Sequence, residues 1–288
     1  MAPQDRTFHF LFRFIFSYFM DLKNHRQRRK TALITGACSG IGYELTCIFA
    51  SQHYNLVLVD INEPKLIEIS ENFTQEHGIH VKSIAIDLSI STSPDAIYLE
   101  LQQESIQVDV LVNNAGFGIY GLFNETNLKS ELEMIQINAV CLTHLTKLFL
   151  RHMVEQGEGK ILNVSSTAAF QPGPLMSVYF ATKSYILSFS EAIANELEDT
   201  GVSVTVLCPG PTKSGFHQRT GTENSQRIKD MKMMDAKTVA EIGYRGLMTG
   251  QTVVIPGAKN RIMAEAVRFL PRKQVTKISK VVQGHGWA

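Results

Sequence analysis

Short apolar runs alternate along this 288-residue chain with longer stretches in which apolar residues recur every three or four positions. A short apolar run that ends in glycine or polar residues predicts a buried strand, and the longer spacing predicts an amphipathic helix. The predicted strands cover residues 31–35, 55–59, 81–86, 109–112, 160–164, 202–208 and 251–255. The predicted helices cover residues 43–52, 64–77, 94–104, 129–152, 179–197 and 238–248. This alternation favours an α/β fold: a Rossmann-like, doubly wound parallel sheet with helices on both faces.

The alternating pattern occupies residues 31–257, which we expect to form a single domain. Residues 1–30 differ, because a densely aromatic stretch from 8 to 20 is followed by a basic run from 23 to 30. That stretch is shorter than the roughly 20 apolar residues that span a bilayer. It suits membrane-surface contact through residues 8–30, or packing on its own domain or on a second subunit. Residues 258–288 form an amphipathic basic tail, which suits closing a substrate pocket, a dimer interface or a membrane contact.

Composition narrows the classes of partner. The formal net charge is +1, so the charge of the chain does not indicate that it binds a nucleic acid. The four cysteines are scattered without a C-x-x-C pair, which favours a reduced, cytoplasmic protein over a disulfide framework or a metal site. We therefore expect no metal and a cytoplasmic location, peripheral to a membrane if residues 8–30 bind one.

Three glycines follow the first predicted strand at the spacing G-x-x-x-G-x-G, as Gly36, Gly40 and Gly42. Glycine lets such a turn close tightly and lets backbone N–H groups approach a pyrophosphate at a helix N-terminus. The spacing is not the common G-x-G-x-x-G. The cofactor loop that it predicts also contains Ser39 and Ile41.

Asp60 ends the second predicted strand, about 20 residues beyond the glycines, where a dinucleotide's ribose hydroxyls are bound. A carboxylate accepts hydrogen bonds from those hydroxyls and repels a 2′-phosphate. The glycine loop contains no Arg or Lys to offset that repulsion. Asp60 therefore favours NAD, with NADP still open. The alternative is that Asp60 serves only as a helix N-cap or turn residue.

Tyr179 and Lys183 lie four residues apart in a predicted helix, which places a phenol and an ammonium on one face, about 6 Å apart along the axis. A nearby positive charge favours the phenolate and lowers the tyrosine pKa from about 10, so that it can move protons near neutral pH. The alternative for so short a pattern is a surface pair.

Several polar motifs stand where predicted strands end, which is where open parallel sheets bind ligands. They are Asp87-Leu88, the run 113–116, Ser165-Ser166 and the run 209–211. Residues 213–235 are mostly polar and suit a flap over a substrate, or a plain surface loop. We expect His144, on an otherwise apolar helix, to be a packed residue rather than a catalyst.

Together these motifs resemble the short-chain dehydrogenase/reductase family, in its compact single-domain branch, over residues 31–257. The loop from Thr35 to Gly42 resembles the family's cofactor loop, and residues 113–116 resemble its mid-sheet motif. Ser166 precedes Tyr179 by thirteen residues, as the family's catalytic serine does. Asn138 falls in the helix that holds the family's fourth catalytic residue. Pro209-Gly210 with Ser214 resembles its element beside the nicotinamide.

The resemblance implies an NAD(P)-dependent alcohol dehydrogenase or ketone reductase that acts on a small hydrophobic substrate, such as a 3-oxoacyl, steroid-like or other lipid ketone. It implies that Tyr179 is the general acid/base, Lys183 lowers its pKa and holds the ribose, Ser166 binds the substrate oxygen, and Asn138 steadies a water. Family members are often oligomers, so a homo-oligomer is expected. The implied cofactor-binding set is Gly36, Ser39, Gly40, Ile41, Gly42, Asp60, Asp87, Leu88, Asn114, Tyr179, Lys183, Pro209, Gly210 and Thr212.

Two other functions compete with this one. A nucleotide-sensing or scaffolding protein could keep the fold without turnover, although such a protein need not keep Ser166, Tyr179 and Lys183 together. An epimerase or dehydratase of the longer branch is disfavoured, because little chain follows Pro209 to build a separate substrate domain.

Overall fold

The computed structural model describes residues 28–216, 220 and 232–284. The aromatic stretch of the N-terminal extension and most of the predicted flap lie outside these residues, so the membrane contact expected through 8–30 stays a prediction. The described residues from Thr31 onward form one compact unit. The separation of a catalytic domain at 31–257 from a tail at 258–288 also stays a prediction.

Seven strands of the described chain form one parallel sheet, as the sequence predicts. Its order is β3-β2-β1-β4-β5-β6-β9, and the sequence order reverses between β1 and β4, as in a doubly wound fold. A separate two-stranded parallel pair joins β7 to β8. The strands are β1 (Thr31–Thr35), β2 (Asn55–Asp60), β3 (Val81–Ala85), β4 (Val110–Asn113), β5 (Gly159–Val164), β6 (Val202–Leu207), β7 (Thr212–Lys213), β8 (Met234–Asp235) and β9 (Val253–Val254).

Helices cover both faces of this sheet, and each face has its own core. Leu33 and Ile34 are adjacent in β1 and fully buried, yet they belong to different hydrophobic clusters. Successive strand residues point to opposite faces, so both faces must be apolar. The helices are α1 (Gly40–Ser51), α2 (Glu63–His77), α3 (Ser93–Gln103), α4 (Leu128–Ile135), α5 (Leu142–Gln156), α6 (Ser177–Glu196), α7 (Ala236–Met248), α8 (Ala258–Ala266) and α9 (Arg272–Gly284).

The predicted helix at 129–152 is not one regular helix. Its backbone widens into a π-helical turn at Gln136–Cys141, which separates α4 from α5 and contains Asn138. A π-helical turn inserts an extra residue into the helix and often accompanies a functional site. This turn sets the direction in which the Asn138 side chain leaves the helix.

Two features are absent from the described residues. None of the helices there is long and apolar enough to cross a membrane. Over the same residues, no three His, Cys, Asp or Glu side chains gather closely enough to hold a metal ion.

Candidate active site

The glycine loop between β1 and α1 is folded so tightly that its glycines have no room for a side chain. Gly36 and Gly40 have positive φ angles of 68° and 55°, which L-residues with side chains rarely adopt. A Cβ on Gly42 would lie 2.1 Å from the Gly36 carbonyl oxygen, and one on Gly40 would lie 2.8 Å from Ser214. Glycine is therefore required at these positions for the loop to pack this closely against its neighbours.

Asn114 holds this loop from the neighbouring strand. Its side-chain Nδ2 donates to the carbonyl oxygens of Thr35 at 2.9 Å and Gly36 at 3.2 Å. Its backbone N–H donates to Thr35 Oγ1 at 3.0 Å. The amide expected to line the cofactor cleft thus contacts the protein's own glycine loop and fixes where that loop stands over the sheet.

A cavity of about 400 Å³ opens beside the loop at the end of β2. The Asp60 carboxylate accepts from the Cys38 N–H at 3.0 Å and from the Asn62 N–H at 3.1 Å. Asn62, not Asp60, caps α2, because its Oδ1 accepts from the Lys65 N–H. Asp60 is the last residue of β2 and is not the N-cap. The cavity is lined by Cys38, Ser39, Asp60, Ile61, Asn62 and Phe117.

Asp87 and Leu88 follow the end of β3, and Asp87 forms hydrogen bonds with residues that come shortly after it. Asp87 Oδ1 accepts from the Ser89 N–H at 2.8 Å, and the Asp87 carbonyl accepts from the Ser93 hydroxyl at 2.6 Å. The Leu88 side chain is buried in one of the two cores. Asp87 and Leu88 are therefore held firmly by the protein, and their role towards an adenine stays a prediction.

The Ser166, Tyr179 and Lys183 side chains meet near the carboxyl end of β5. Lys183 is only 5% exposed, and its Nζ donates to the Val164 carbonyl at 3.0 Å. The same Nζ lies 5.7 Å from the centroid of the Tyr179 ring. Ser166 Oγ accepts from the Ala168 N–H and lies 3.4 Å from the Pro209 carbonyl, to which it donates. The Ser166 side chain also acts on Tyr179, whose pKa it lowers.

Burial dominates the proton affinities of this cluster. It raises the pKa of Tyr179 to about 12, although the hydrogen bond from Ser166 acts in the opposite direction. It lowers the pKa of Lys183 to about 8, against a smaller opposite effect of Cys208. Lys183 is not among the groups that shift the pKa of Tyr179 here, and the expectation that it lowers this pKa stays a prediction. The lysine nitrogen is directed to a backbone carbonyl, and the loss of water around the phenol outweighs other influences.

Asn138 is a linking residue in this structure. It is 1% exposed, and its Nδ2 donates to the Phe117 carbonyl at 2.9 Å and to Thr182 Oγ1 at 3.1 Å. Its Oδ1 accepts from the Phe117 N–H at 3.1 Å. The π-helical turn, the loop after β4 and α6 are joined through this one amide. The prediction that Asn138 steadies a water is therefore not tested by its side-chain contacts, which are to protein groups.

The segment after β6 closes the site from the other side. The Pro209 carbonyl accepts from the Thr167 N–H at 2.8 Å, and Thr212 Oγ1 donates to the Gly210 carbonyl at 2.8 Å. A Cβ on Gly210 would lie 2.5 Å from the Asn260 side chain, so α8 is packed against this turn. The segment is thus placed between Ser166 and the C-terminal helices.

An apolar wall stands against the Tyr179 ring, and sequence reasoning missed its members. The ring of Phe216 lies 5.2 Å from that of Tyr179, centroid to centroid. A Cβ on Gly118 would lie 2.7 Å from Phe216, 3.1 Å from Met176 and 3.1 Å from Tyr179. The glycine therefore leaves space that these side chains fill. Only the position of Phe216, just after a strand-end motif, could have indicated it.

The fold and this site define a dinucleotide-binding α/β protein of the oxidoreductase type. The sequence pattern of the short chain dehydrogenase family matches residues 30–226. That match covers more than half of the chain, so the protein belongs to the short-chain dehydrogenase family, which is a family of NAD(P)-dependent oxidoreductases.

Individual relatives agree with this. A very-long-chain 3-oxoacyl-CoA reductase of Pyrenophora tritici-repentis is 33% identical over 219 residues, or 75% of this chain and 64% of the reductase. The 17-beta-hydroxysteroid dehydrogenase type 3 of Mus musculus is 34% identical over 187 residues, or 64% of this chain and 60% of that enzyme. The chain thus spans less than two thirds of either relative.

A solved structure is similar over more of its length. The short-chain dehydrogenase from Sphingobium yanoikuyae in complex with NADPH superposes with a TM-score of 0.76 at 28% identity. The match covers 83% of this chain and 92% of that one. The chain therefore shares the fold of a short-chain dehydrogenase that was solved with a nicotinamide dinucleotide.

Proposed function

We propose that this protein transfers a hydride between a nicotinamide dinucleotide and the carbonyl or secondary alcohol carbon of a hydrophobic substrate. One observation carries the proposal: the Nζ of the buried Lys183 lies 5.7 Å from the Tyr179 ring centroid, beside a Ser166 side chain that favours the Tyr179 phenolate. Burying a lysine beside a phenol lowers stability, and groups with pKa values shifted in this way are concentrated at functional sites. A proton relay beside a nucleotide site is a function that would explain why the buried pair is kept.

The residues around the glycine loop fit such a dinucleotide. Gly36, Gly40 and Gly42 let the loop fold tightly at the start of α1, where backbone N–H groups would bind a pyrophosphate, and the first turn of α1 contains no acidic residue to repel it. Asp60 borders the adjoining cavity, where its carboxylate would accept from ribose hydroxyls. When bound, the nicotinamide supplies the hydride. We propose NAD as the preferred form because of Asp60, while the Sphingobium relative was solved with NADPH.

The protonation states favour reduction of a ketone. With a pKa of about 12, Tyr179 holds its proton at neutral pH and can donate it to an oxygen that gains negative charge. Lys183, with a pKa of about 8, is mostly protonated at pH 7 and can return a proton to the relay. The Ser166 hydroxyl would donate a hydrogen bond to the same substrate oxygen.

The surroundings of Tyr179 favour an apolar substrate. Phe216, Met176 and Gly118 form its apolar wall. The relatives from Pyrenophora and mouse are named for an acyl-CoA and a steroid. We therefore propose a lipid-like ketone, a 3-oxoacyl or steroid-like compound, as the substrate class.

Tyr179→Phe tests the proposal. Acid–base catalysis typically contributes about 10²–10⁴-fold, so turnover of NADH with apolar ketones should fall by that factor while NADH binding stays within about threefold. The matched control is Tyr185→Phe on the same helix, whose hydroxyl hydrogen-bonds the Thr143 hydroxyl at 2.9 Å. It should keep full turnover.

The same experiment distinguishes the proposed enzyme from a sensing or scaffolding protein. If wild-type protein binds NADH tightly but reduces no member of a panel of 3-oxoacyl and steroid-like ketones, a sensing or scaffolding protein is favoured. Turnover that survives in Tyr179→Phe would show that the proton is moved by another group.

Assembly and location belong to the proposal as well. Leu128, Leu132 and Val140 are exposed along α4 and the π-helical turn, which favours a homo-oligomer through this surface. Light scattering measures the assembled mass, and Leu132→Ser should reduce it. Expression in cells with fractionation would test the proposed cytoplasmic location.

A further inference from the structure

The C-terminal helices carry an exposed apolar surface that the proposed catalysis does not use. Phe269 is 86% exposed and Ile262 is 68% exposed, although both are large apolar side chains. Apolar surface this concentrated usually marks an interaction site. We name the set the tail surface; it consists of Ile262, Met263, Phe269, Leu270, Ile278 and Val282.

On α9 the apolar arc is wider than the part that packs on the protein. Val275 and Ser279, four residues apart, are buried against the protein. Ile278 and Val282, also four residues apart, continue the apolar arc beside them and stay exposed. The helix therefore packs one side against the protein and leaves the neighbouring apolar side chains, Ile278 and Val282, exposed.

The segment that holds the tail surface is rich in exposed cations. The sequence between 258 and 282 contains seven Lys or Arg and a single acid, Glu265. Glu265 lies 3.3 Å from Arg268, so it offsets only that neighbour. The seven cationic residues are exposed: Lys259, Arg261, Arg268, Arg272, Lys273, Lys277 and Lys280.

The chemistry that complements exposed apolar side chains among cations is an anionic lipid bilayer, with acyl chains below and negative headgroups around them. A second copy of the same surface is a poor partner, because two such patches would bring like charges together. We propose that α8 and α9 bind the surface of an anionic bilayer, with Phe269 and Ile278 inserted at the headgroup boundary.

This binding has a consequence for the site, which rests on the proposed function. Asn260 of α8 lies against Gly210 in the segment that closes the site. A bilayer held by α8 would therefore stand beside the route by which an apolar ketone reaches Tyr179. The lipid contact itself does not depend on catalysis and is tested without it.

Vesicle flotation with the full chain tests the proposal. Vesicles of phosphatidylcholine with about a third phosphatidylserine should bind the protein, and pure phosphatidylcholine or high salt should weaken the binding, since salt screens charge. Phe269→Ser with Ile278→Ser should weaken it at least tenfold. Lys273→Gln with Lys277→Gln should weaken it by about 25-fold, because each cation near an anionic surface contributes about fivefold.

Ile67→Ser with Leu99→Ser is the matched control, because these apolar residues of α2 and α3 are also exposed but lie outside the tail surface. It should bind vesicles like the wild type. Circular dichroism checks folding, and the charge variants carry the test if the apolar variant does not fold. The proposal is overturned if the wild type does not bind anionic vesicles. It is equally overturned if both tail variants bind them unchanged, since another segment would then hold the lipid.

Discussion

Replacing Lys183 with Met should make the protein more stable at neutral pH and inactive. The buried ammonium is the reason: burial lowers the pKa of Lys183 from 10.5 to about 8. At about 1.4 kcal/mol per pKa unit, this difference means that the charged form lowers stability by about 3 kcal/mol below pH 8. Losing the hydrogen bond from Nζ to the Val164 carbonyl removes about 1 kcal/mol of stability. The net expected gain is about 2 kcal/mol.

The sign of the pH dependence follows from the same pKa. Below pH 8 the lysine is protonated in both the folded and the unfolded chain, so the full penalty is present. Between pH 8 and 10.5 the folded state releases its proton first, and the penalty fades. The advantage of Lys183→Met should therefore be largest at pH 7 and close to zero near pH 10.5. Tyr179 titrates only above that window and is common to both proteins.

Urea unfolding at pH 7, 8, 9 and 10 measures this advantage, and NADH turnover is measured beside it. Lys147→Met, at an exposed position of α5, is the control and should change stability little at any pH. A variant of Lys183 that is less stable than the wild type at pH 7, or whose advantage does not change with pH, would contradict a desolvated ammonium at this position.

Three further changes test the loop and its supports. Gly42→Ala brings a methyl group within 2.1 Å of the Gly36 carbonyl oxygen and should weaken NADH binding more than tenfold by fluorescence titration. Unchanged affinity would contradict the proposal that the tightly folded glycine loop binds the dinucleotide. Asp60→Ala should lower the ratio of kcat/KM for NADH over NADPH by on the order of tenfold, because a charge that repels a 2′-phosphate is lost; an unchanged ratio would remove the case for NAD. Asn138→Ala leaves Phe117 backbone groups without partners and should lower the free energy of unfolding by about 1–3 kcal/mol, whereas a neutral effect would mean that water replaces the amide.

The sheet could be predicted because its strands are buried on both faces. Leu33 and Ile34 are both fully buried, so β1 is continuous apolar sequence that ends abruptly at glycine. Such a pattern is strong evidence for a central parallel strand. The alternation of these runs with helices then leaves few topologies, since crossover connections have a fixed hand.

The candidate site could be predicted only in part, because its details depend on contacts between distant residues. Apolar spacing does not distinguish a π-helical turn from an α-helix, so the change of geometry around Asn138 was not visible. His144 was expected to be packed, but its Nε2 lies 3.1 Å from an Asp95 oxygen on another helix. The raised pKa of Tyr179 comes from burial among residues such as Phe216, which only the fold brings near.

A buried amide chain explains how the two halves of the site are kept in register. Asn113 ends β4 and pairs with Asn163 of β5, and its Nδ2 donates to the Asn163 Oδ1 at 2.9 Å and to Thr146 at 3.0 Å. Asn163 in turn donates to Ser190 of α6 at 2.9 Å. Apolar side chains alone would tolerate a shift of one strand along the other, whereas buried amides would lose their partners. Because Asn114 follows β4 and the serine at 166 follows β5, the same amides that fix the strands also set the distance between the glycine loop and the proton-carrying residues.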